Sequence, residues 1–473
     1  MSNVKRHFLD SFFYPESVAV VGASNNVQTA NFNLMGNLIN LKFRGKIYPV
    51  NPNAEEILGI KAYPDLKSIE ENIDLVVVSV PAGKVLDVIH DCVAKKVEGV
   101  VLVSGGFSET GEEGKRRQEE VFGLLRESGI RTIGPNTLSP INTENNLVIS
   151  FHAIEKMKPG KLSFIFQSGL YDPRINWWFS EFNLYLNKLI DLGNKMDISE
   201  VDALEYLGQD PGTKVIALHL ESIAGDARAF MRLLKQISRE KPVIVLKSGR
   251  TEAGAKAASS HTGAIIKARD VVFDAALKQA GAIRVQTLDE CFDLAKTFEY
   301  LYPPKSNRIH VSTGSGGEGV LATDLCQCNG FTMAQPGPET YKKLRAIFPP
   351  WEINLNPFDL GVAVQFRSVT DIFRILLSAL ADDQNVDCLA LELGGYPVSN
   401  PENLIDLASE VIKRGKPVAI WMAAMQAEDS TMVHKLEAKR VPVYPSVERA
   451  IRALSALYRC HKMQEAIRGD ESG

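Results

Sequence analysis

The stretch Val18-Ala19-Val20-Val21-Gly22-Ala23-Ser24-Asn25-Asn26 sets a run of small and β-branched apolar residues against a glycine and then a polar segment. Four consecutive apolar positions suit a strand covered on both faces, and glycine lets the backbone turn tightly before a helix. The rhythm recurs at Lys46-Ile47-Tyr48-Pro49-Val50, Leu75-Val76-Val77-Val78-Ser79-Val80 and Gly99-Val100-Val101-Leu102-Val103, with amphipathic helical stretches between. Such alternation predicts a Rossmann-like parallel sheet. After Lys158-Pro159-Gly160 it restarts at Leu162-Ser163-Phe164-Ile165-Phe166, at 214–220 and at Val243-Ile244-Val245-Leu246. A Pro-rich joint, Tyr302-Pro303-Pro304-Lys305-Ser306, precedes a third restart at Arg308-Ile309-His310-Val311-Ser312, at 386–393 and at 417–421. The predicted fold is α/β throughout: a Rossmann-like domain over 1–158, flavodoxin-like layers over 159–303 and 304–460, and a polar tail over 461–473 expected to fray.

A length of 473 residues agrees with this division, being too long for one core and enough for roughly three domains of about 150 residues. The 45% hydrophobic and 23% charged shares are those of a globular chain. A net charge of −4, with scattered rather than bunched cations, offers no field for a nucleic-acid backbone. No stretch approaches the ~20 apolar residues that span a bilayer, and Met1-Ser2-Asn3-Val4-Lys5-Arg6-His7 has no apolar signal core, so a cytoplasmic location is expected. Six dispersed cysteines do not form a disulfide framework and are expected to be reduced. Cys326-Gln327-Cys328 lacks a second pair or a nearby His, so no metal site is expected.

Gly22-Ala23-Ser24 leaves a strand where a helix is expected to open, the place where backbone amides and the helix dipole attract a phosphate. The three-glycine dinucleotide fingerprint is missing, and Val50-Asn51-Pro52-Asn53 stands where a ribose-binding acid would end the second strand. This disfavours NAD and leaves room for another adenine nucleotide with a pyrophosphate, coenzyme A among them. Ser79-Val80-Pro81-Ala82, Ser104-Gly105-Gly106-Phe107 and Gly134-Pro135-Asn136 fall at the other strand ends and outline one crevice.

In the second domain, Gln167-Ser168-Gly169 follows a strand and begins a helical stretch, so Ser168 and Gly169 are candidate anion ligands. Glu221 ends another strand at the same edge. The segment from Lys247 through Ser259-Ser260-His261-Thr262-Gly263-Ala264 is dense in Gly, Ala and Ser and reads as a loop that presents one functional side chain. The residues alone leave His261 between a nucleophile and a passive surface histidine.

These segments, with Leu192-Gly193-Asn194-Lys195, Gly281-Ala282-Ile283-Arg284-Val285 and its following Glu290 helix, resemble the α subunit of ADP-forming acetyl-CoA and acyl-CoA synthetases. The likeness extends to the stretch from Phe13 to Ser24, to Ile47-Tyr48-Pro49-Val50-Asn51-Pro52, to Asn356-Pro357-Phe358-Asp359-Leu360 and to Pro442-Val443-Tyr444-Pro445, nearly the whole chain. Succinyl-CoA synthetases are more distant relatives. The resemblance implies a ligase that interconverts acyl-CoA, ADP and phosphate with carboxylic acid, CoA and ATP through an acyl phosphate and a phosphohistidine. His261 would carry the phosphoryl group and Glu221 would orient it. Ser168, Gly169 and the turn Thr313-Gly314-Ser315-Gly316-Gly317-Glu318-Gly319 would hold phosphate, with Gly316 and Gly317 as its amides. Coenzyme A would lie along Gly22, Ala23, Ser24, Asn51, Pro52, Val80, Pro81, Ser104, Gly105 and Asn136. All three domains are assigned, so ATP or ADP with Mg2+ would belong to a separate ATP-grasp β subunit, and the assembly would be hetero-oligomeric.

Relatives usually have Gln-Ser-Gly-Gly and a further small residue where this chain has Gln167-Ser168-Gly169-Leu170-Tyr171-Asp172-Pro173-Arg174. A reshaped acyl pocket is expected, and Arg174 is a candidate partner for a second anionic group on the substrate. Glu318 replaces a usual proline, and its charge would repel a phosphate unless it points away. Besides the ligase, two readings stay open at this level: a CoA-binding or regulatory homologue without turnover, and, more remotely, an NAD-linked dehydrogenase.

Overall fold

Three parallel sheets repeat one strand order, and that order places the crevices. The computed structural model describes residues 6–262, 270–348, 353–393, 401–422 and 429–469, with the side chains of 258–262 and 429 outside the description. The first sheet is built from β1 (Ser17–Val21), β2 (Lys46–Val50), β5 (Leu75–Val78), β6 (Gly99–Leu102) and β7 (Arg131–Ile133), in the order β2-β1-β5-β6-β7. A small hairpin, β3 (Glu56–Ile57) and β4 (Ile60–Lys61), stands apart from it. The second sheet holds β8 (Ile141–Asn142), β9 (Leu147–Val148), β10 (Pro159–Phe166), β11 (Leu186–Asp191), β12 (Val215–Leu220), β13 (Val243–Lys247) and β14 (Ile283–Val285), in the order β14-β13-β12-β10-β11-β8-β9. The third holds β15 (Arg308–Thr313), β16 (Thr332–Met333), β17 (Phe358–Asp359), β18 (Cys388–Glu392), β19 (Val418–Trp421) and β20 (Val443–Tyr444), in the order β16-β15-β18-β19-β20 with β17 beside β15.

In each sheet the order of successive parallel strands is 2-1-3-4-5, so the winding direction reverses between the first strand and the third. Ligands gather outside the carboxyl ends of the strands at that switch point. It lies between β1 and β5, between β10 and β12, and between β15 and β18.

The strands form because both faces are covered. Successive side chains point to opposite faces, so Val18 and Val20 join one core while Ala19 and Val21 join the other. The second of these cores packs the helices at Val85, Ile89, Val121 and Leu125 on the sheet. The first runs on through Phe12, Phe13, Leu147 and Ile149 to Ile165, Ile216 and Leu218 of the second sheet. That shared core makes 1–291 one compact unit, and residues 292–473 form another. β8 and β9, which precede the Lys158-Pro159-Gly160 boundary, pair onto the second sheet through Ile141–Leu189 and Asn142–Lys188. The helix Leu288–Tyr300 begins in the first unit, and its residues from 292 on belong to the second, where Lys296 lies 2.7 Å from Glu437 and Asp293 2.5 Å from Arg449. The polar stretch after Cys460 does not begin a frayed tail: the helix Val447–Gly469 continues through it, because Ile467, 8% exposed, still finds apolar cover.

His310 in β15 is fully buried, and neither ring nitrogen has a hydrogen-bond partner among the described residues. Burial pushes its pKa from 6.5 down to about 3. The unfolded chain therefore takes up the proton first, and stability falls as pH drops below about 6.5. The loss reaches about 2 kcal/mol near pH 5. Urea midpoints of the third sheet's unit should fall between pH 7.5 and 5, and His310→Leu should flatten that slope.

Candidate active site

At the first switch point, Gly22 has φ +91°, and a Cβ there would stand 2.1 Å from the Ser79 carbonyl oxygen, so the turns after β1 and β5 touch backbone to backbone. Asn31 clamps them, its Nδ2 donating to Gly22 O at 2.8 Å and to Ser79 O at 2.9 Å while its Oδ1 accepts from Ser79 Oγ at 2.8 Å. Asn51 Nδ2 donates to Ala23 O at 2.8 Å, and Ser104 Oγ donates to Val80 O at 2.6 Å and accepts from Val80 N at 3.1 Å. Asn136 N donates to Ser104 O at 3.1 Å. The strand-end residues Gly22, Ala23, Ser24, Asn51, Val80, Ser104 and Asn136 thus form one continuous edge, with Pro52, Pro81 and Gly105 beside them in the chain. Replacing Gly22 by Ala should force the two turns apart and lower the urea midpoint of the 1–291 unit, since the new Cβ has no room beside the Ser79 carbonyl.

One expectation is corrected here. The helix after β1 does not open at Gly22 but at Ala30, and its N-cap Thr29 makes no side-chain cap bond. Asn and Ser side chains capture the intervening amides: Asn26 N donates to Ser24 Oγ and Gln28 N to Asn26 Oδ1, both at 3.0 Å. Such local bonds compete with helix formation.

At the second switch point, Gln167 and the turn after β12 are interlocked. Gln167 Oε1 accepts from Glu221 N at 2.8 Å and Ser222 N at 3.0 Å, and its Nε2 donates to Ser222 Oγ at 3.0 Å. Lys247 Nζ donates to Glu221 O at 2.6 Å. Glu221, 7% exposed, is thereby fixed at the strand end. Ser168 caps the short helix Gly169–Arg174, accepting from Leu170 N at 3.4 Å, and a Cβ at Gly169 would meet nothing within 4 Å. His219 Nε2 lies 2.7 Å from Ser248 Oγ, and burial, aided by Lys247, lowers its pKa to about 4. It is a neutral core residue. Burial likewise lowers the pKa of Lys247 and outweighs the pull of Asp270 and Glu221.

The turn Leu192-Gly193-Asn194-Lys195 joins the two edges. Gly193 and Lys195 both have φ +54°. A Cβ on Gly193 would lie 2.2 Å from Pro135 O, which accepts from Asn194 N at 2.9 Å. Asn194 Nδ2 donates to Glu109 Oε2 at 2.6 Å, and Glu109 Oε1 accepts from the amides of Gly106 and Phe107 at 2.6 and 3.1 Å. Burial would raise the Glu109 pKa, but these bonds overcome it and hold the carboxyl below its usual range. Sequence reading missed Glu109 and Asn31; an acid three residues beyond a glycine turn was the available signal for the first.

The residues after β13 form the helix Glu252–Thr262, not a loop. Four alanines among its first seven residues give strong helix propensity, and Thr251 Oγ1 accepts from Gly254 N at 3.0 Å at its start. This helix packs against the Ser108–Thr110 turn of the first sheet's edge. His261 stands in its last turn; its side chain, like Gly263 and Ala264, lies outside the described residues. Arg174 is exposed, and its NH1 donates to Leu170 O at 3.0 Å.

At the third switch point, Ser315 caps the helix Gly316–Cys328, accepting from Glu318 N at 3.3 Å, and Gly316 and Gly317 form its first residues. The amide of Gly314 donates to the Glu392 carboxylate. Trp421 Nε1 donates to Glu318 Oε1 at 3.1 Å, which keeps that carboxylate inside the turn beside Glu392. Burial first, and then Glu318, pushes the Glu392 pKa up against the Gly314 bond. An acid thus already takes part of this anion cradle.

Three family models match the chain: a CoA binding domain over residues 16–142, a succinyl-CoA ligase like flavodoxin domain over 159–298 and a ligase-CoA domain over 309–468. The chain is 36% identical over 456 residues to the α subunit of ADP-forming acetate–CoA ligase II of Pyrococcus furiosus, covering 95% of this chain and 97% of that one. It is 36% identical over 459 residues to ADP-forming acetate–CoA ligase II of Archaeoglobus fulgidus, covering 94% of this chain and 66% of the longer relative. Among solved structures, the dinucleotide forming acetyl-coenzyme A synthetase 1 of Ca. Korarchaeum cryptofilum, in complex with phosphate and ADP, superposes with a TM-score of 0.89 at 32% identity over 98% of each chain. With identity of this level along nearly its whole length, the chain belongs to the family of ADP-forming acetate–CoA ligase α subunits.

Proposed function

We propose that this chain is the CoA-binding catalytic subunit of an ADP-forming acyl-CoA synthetase, with His261 as the phosphorylated residue. The observation that carries the reading is the helix Glu252–Thr262: it leaves the second sheet's edge beside Glu221 and packs against the Ser108–Thr110 turn of the first sheet's edge. On this reading the histidine in its last turn serves the edges of both sheets.

CoA lies along the β1–β5 edge, with its thioester toward Ser168 and Gly169. Phosphate bound at these residues attacks the thioester carbonyl; the C–S bond breaks, the thiolate takes up a proton, and an acyl phosphate forms. A ring nitrogen of His261 then attacks phosphorus, the P–O bond to the acyl group breaks, and the carboxylate leaves. Glu221 orients the imidazole and balances its developing charge. Lys195 and Gln167 hold the Glu221–Ser222 turn in place. Transfer of the phosphoryl group to ADP, with Mg2+, falls to an ATP-grasp β subunit, a partner supported by the subunit name of the Pyrococcus relative. No helix among the described residues is long and apolar enough to cross a membrane, and we place the enzyme in the cytoplasm.

The test uses this chain together with its β partner and without ADP. Mixed with an acyl-CoA and radiolabelled phosphate, it should release CoA thiol and acquire acid-labile, alkali-stable label, each up to one equivalent per chain. Thiol release without protein-bound label, or neither, across short-chain acyl-CoAs would overturn the reading.

A further inference from the structure

Glu109 reaches further than its own turn. Its Oε1 accepts from the amides of Gly106 and Phe107 at 2.6 and 3.1 Å, which closes the turn after β6, and its Oε2 accepts from Asn194 Nδ2 at 2.6 Å on the turn after β11. Asn194 is itself anchored, its backbone amide donating to Pro135 O after β7 at 2.9 Å. One carboxylate therefore joins the carboxyl ends of β6 and β11 directly and that of β7 through Asn194. A Cβ at Gly105, in the proposed CoA edge, would stand 3.3 Å from Glu109 Oε1. Glu109 is also the middle residue of the turn Ser108–Thr110, against which the helix Glu252–Thr262 packs.

Closing a turn does not account for this arrangement. One oxygen serves both amides, and the turn's carbonyls are held independently: Thr110 Oγ1 donates to Phe107 O at 2.9 Å and Arg117 NH1 to Gly106 O at 2.5 Å. The helix Glu112–Ser128 backs the turn so closely that a Cβ at Gly114 would come within 1.9 Å of Phe107 O. The second oxygen is spent on the other sheet. Charge-assisted bonds of this length are short and strong, so the turn is held in register with Asn194 as well as closed. Transfer between two bound groups depends on such fixing, because a displacement of about 1 Å far from the reacting atoms can cost about 10²-fold in rate.

We propose that Glu109 is a positioning residue for phosphoryl transfer: by tying the Ser108–Thr110 turn to Asn194, it fixes the seat on which the helix bearing His261 packs. It acts through that helix and not on the substrate. The inference rests on the function proposed above.

The chain with its β partner and without ADP, given radiolabelled phosphate and whichever short-chain acyl-CoA releases most thiol, yields two rates from one mixture. Thiol release reports formation of acyl phosphate, and protein-bound label reports transfer to the histidine. In the intact chain the two should run together. In Glu109→Ala the label acquired per thiol released should fall by about 10- to 100-fold. Glu109→Gln keeps an oxygen for the two amides and an amide group that Asn194 can meet by turning its own, so its ratio should stay within about threefold of the intact chain's. Asn194→Ala breaks only the bond to the second sheet and should lower the ratio by about 3- to 10-fold; it carries the comparison should Glu109→Ala fail to fold. A ratio unchanged in Glu109→Ala or in Asn194→Ala overturns the inference. So does Glu109→Gln as deficient as the alanine variant, or an equal loss of both rates with a lowered urea midpoint, which marks a tie that serves stability alone. An intact chain that acquires no label strikes the parent reading instead, which separates the two failures.

Discussion

Alanine at position 261 is expected to abolish protein-bound phosphate and to lower turnover with the β partner by on the order of 10³- to 10⁴-fold. The effect is chemical rather than structural. Position 261 is in a helix already rich in alanine, and alanine is the best helix former, so the substitution costs the fold little. CoA binding at the proposed β1–β5 edge should stay within about twofold of its original affinity, on the ordinary tolerance for sites without shared contacts. Label that persists in His261→Ala places the phosphoryl group elsewhere. Thiol release in this variant is informative in its own right: if acyl phosphate forms before a histidine attacks it, some CoA should still appear while the label does not.

Lys195→Met is expected to have the largest effect on stability. Lys195 Nζ lies 3.0 Å from Glu200 Oε2 and donates to Ser222 O at 2.8 Å, with side chains 4% and 0% exposed in the ion pair. Burial lowers the Lys195 pKa, and Glu200 opposes the shift. Removing one partner of a buried pair leaves an uncompensated charge and costs about 3–5 kcal/mol. Glu200 Oε1 also accepts from Ala224 N at 2.5 Å, so the acid cannot swing out to solvent without freeing a backbone amide. Urea denaturation of the 1–291 unit should show the loss, and Lys195→Met with Glu200→Gln should recover part of it. A single variant as stable as the original would mean that the pair is not an important tie between the Gly193 turn and the Glu221 turn.

The two predictions concern residues that were legible to different degrees. His261 stood out as the one nucleophile in a Gly-, Ala- and Ser-dense segment, but the same composition read as a loop because small residues suggest flexibility. Four alanines near its start make a helix once a capping Thr251 is in place. Lys195 was visible only as part of a motif. Its acid, Glu200, five residues on in the next helix, gains meaning only when both are buried. Glu318 drew attention as a charge in a phosphate turn, yet its partners Glu392 and Trp421 come from 74 and 103 residues away in sequence. Asp172 stood out only as part of the departure at 170–174, and its pairing with His152 left no trace, because only the fold brings the two side chains within 2.6 Å.

Local chemistry determined a great deal by itself. Continuous apolar runs such as Val18-Ala19-Val20-Val21 can only be buried on both faces, so parallel sheets between helix layers follow, together with the turns at their carboxyl ends where a ligand binds. What only the tertiary structure decided is how those ends combine. Strand order is a long-range choice that periodicity does not encode, and it alone sets Gly22 against Ser79 and Gln167 against Glu221. The continuous core from Phe12 to Leu218 fuses the first two sheets into one unit, although the chain reads as two separate restarts. The helix Glu252–Thr262, which leaves the second sheet after β13, thereby comes against the Ser108–Thr110 turn of the first, because core packing and not the segment's own sequence sets the two sheets side by side.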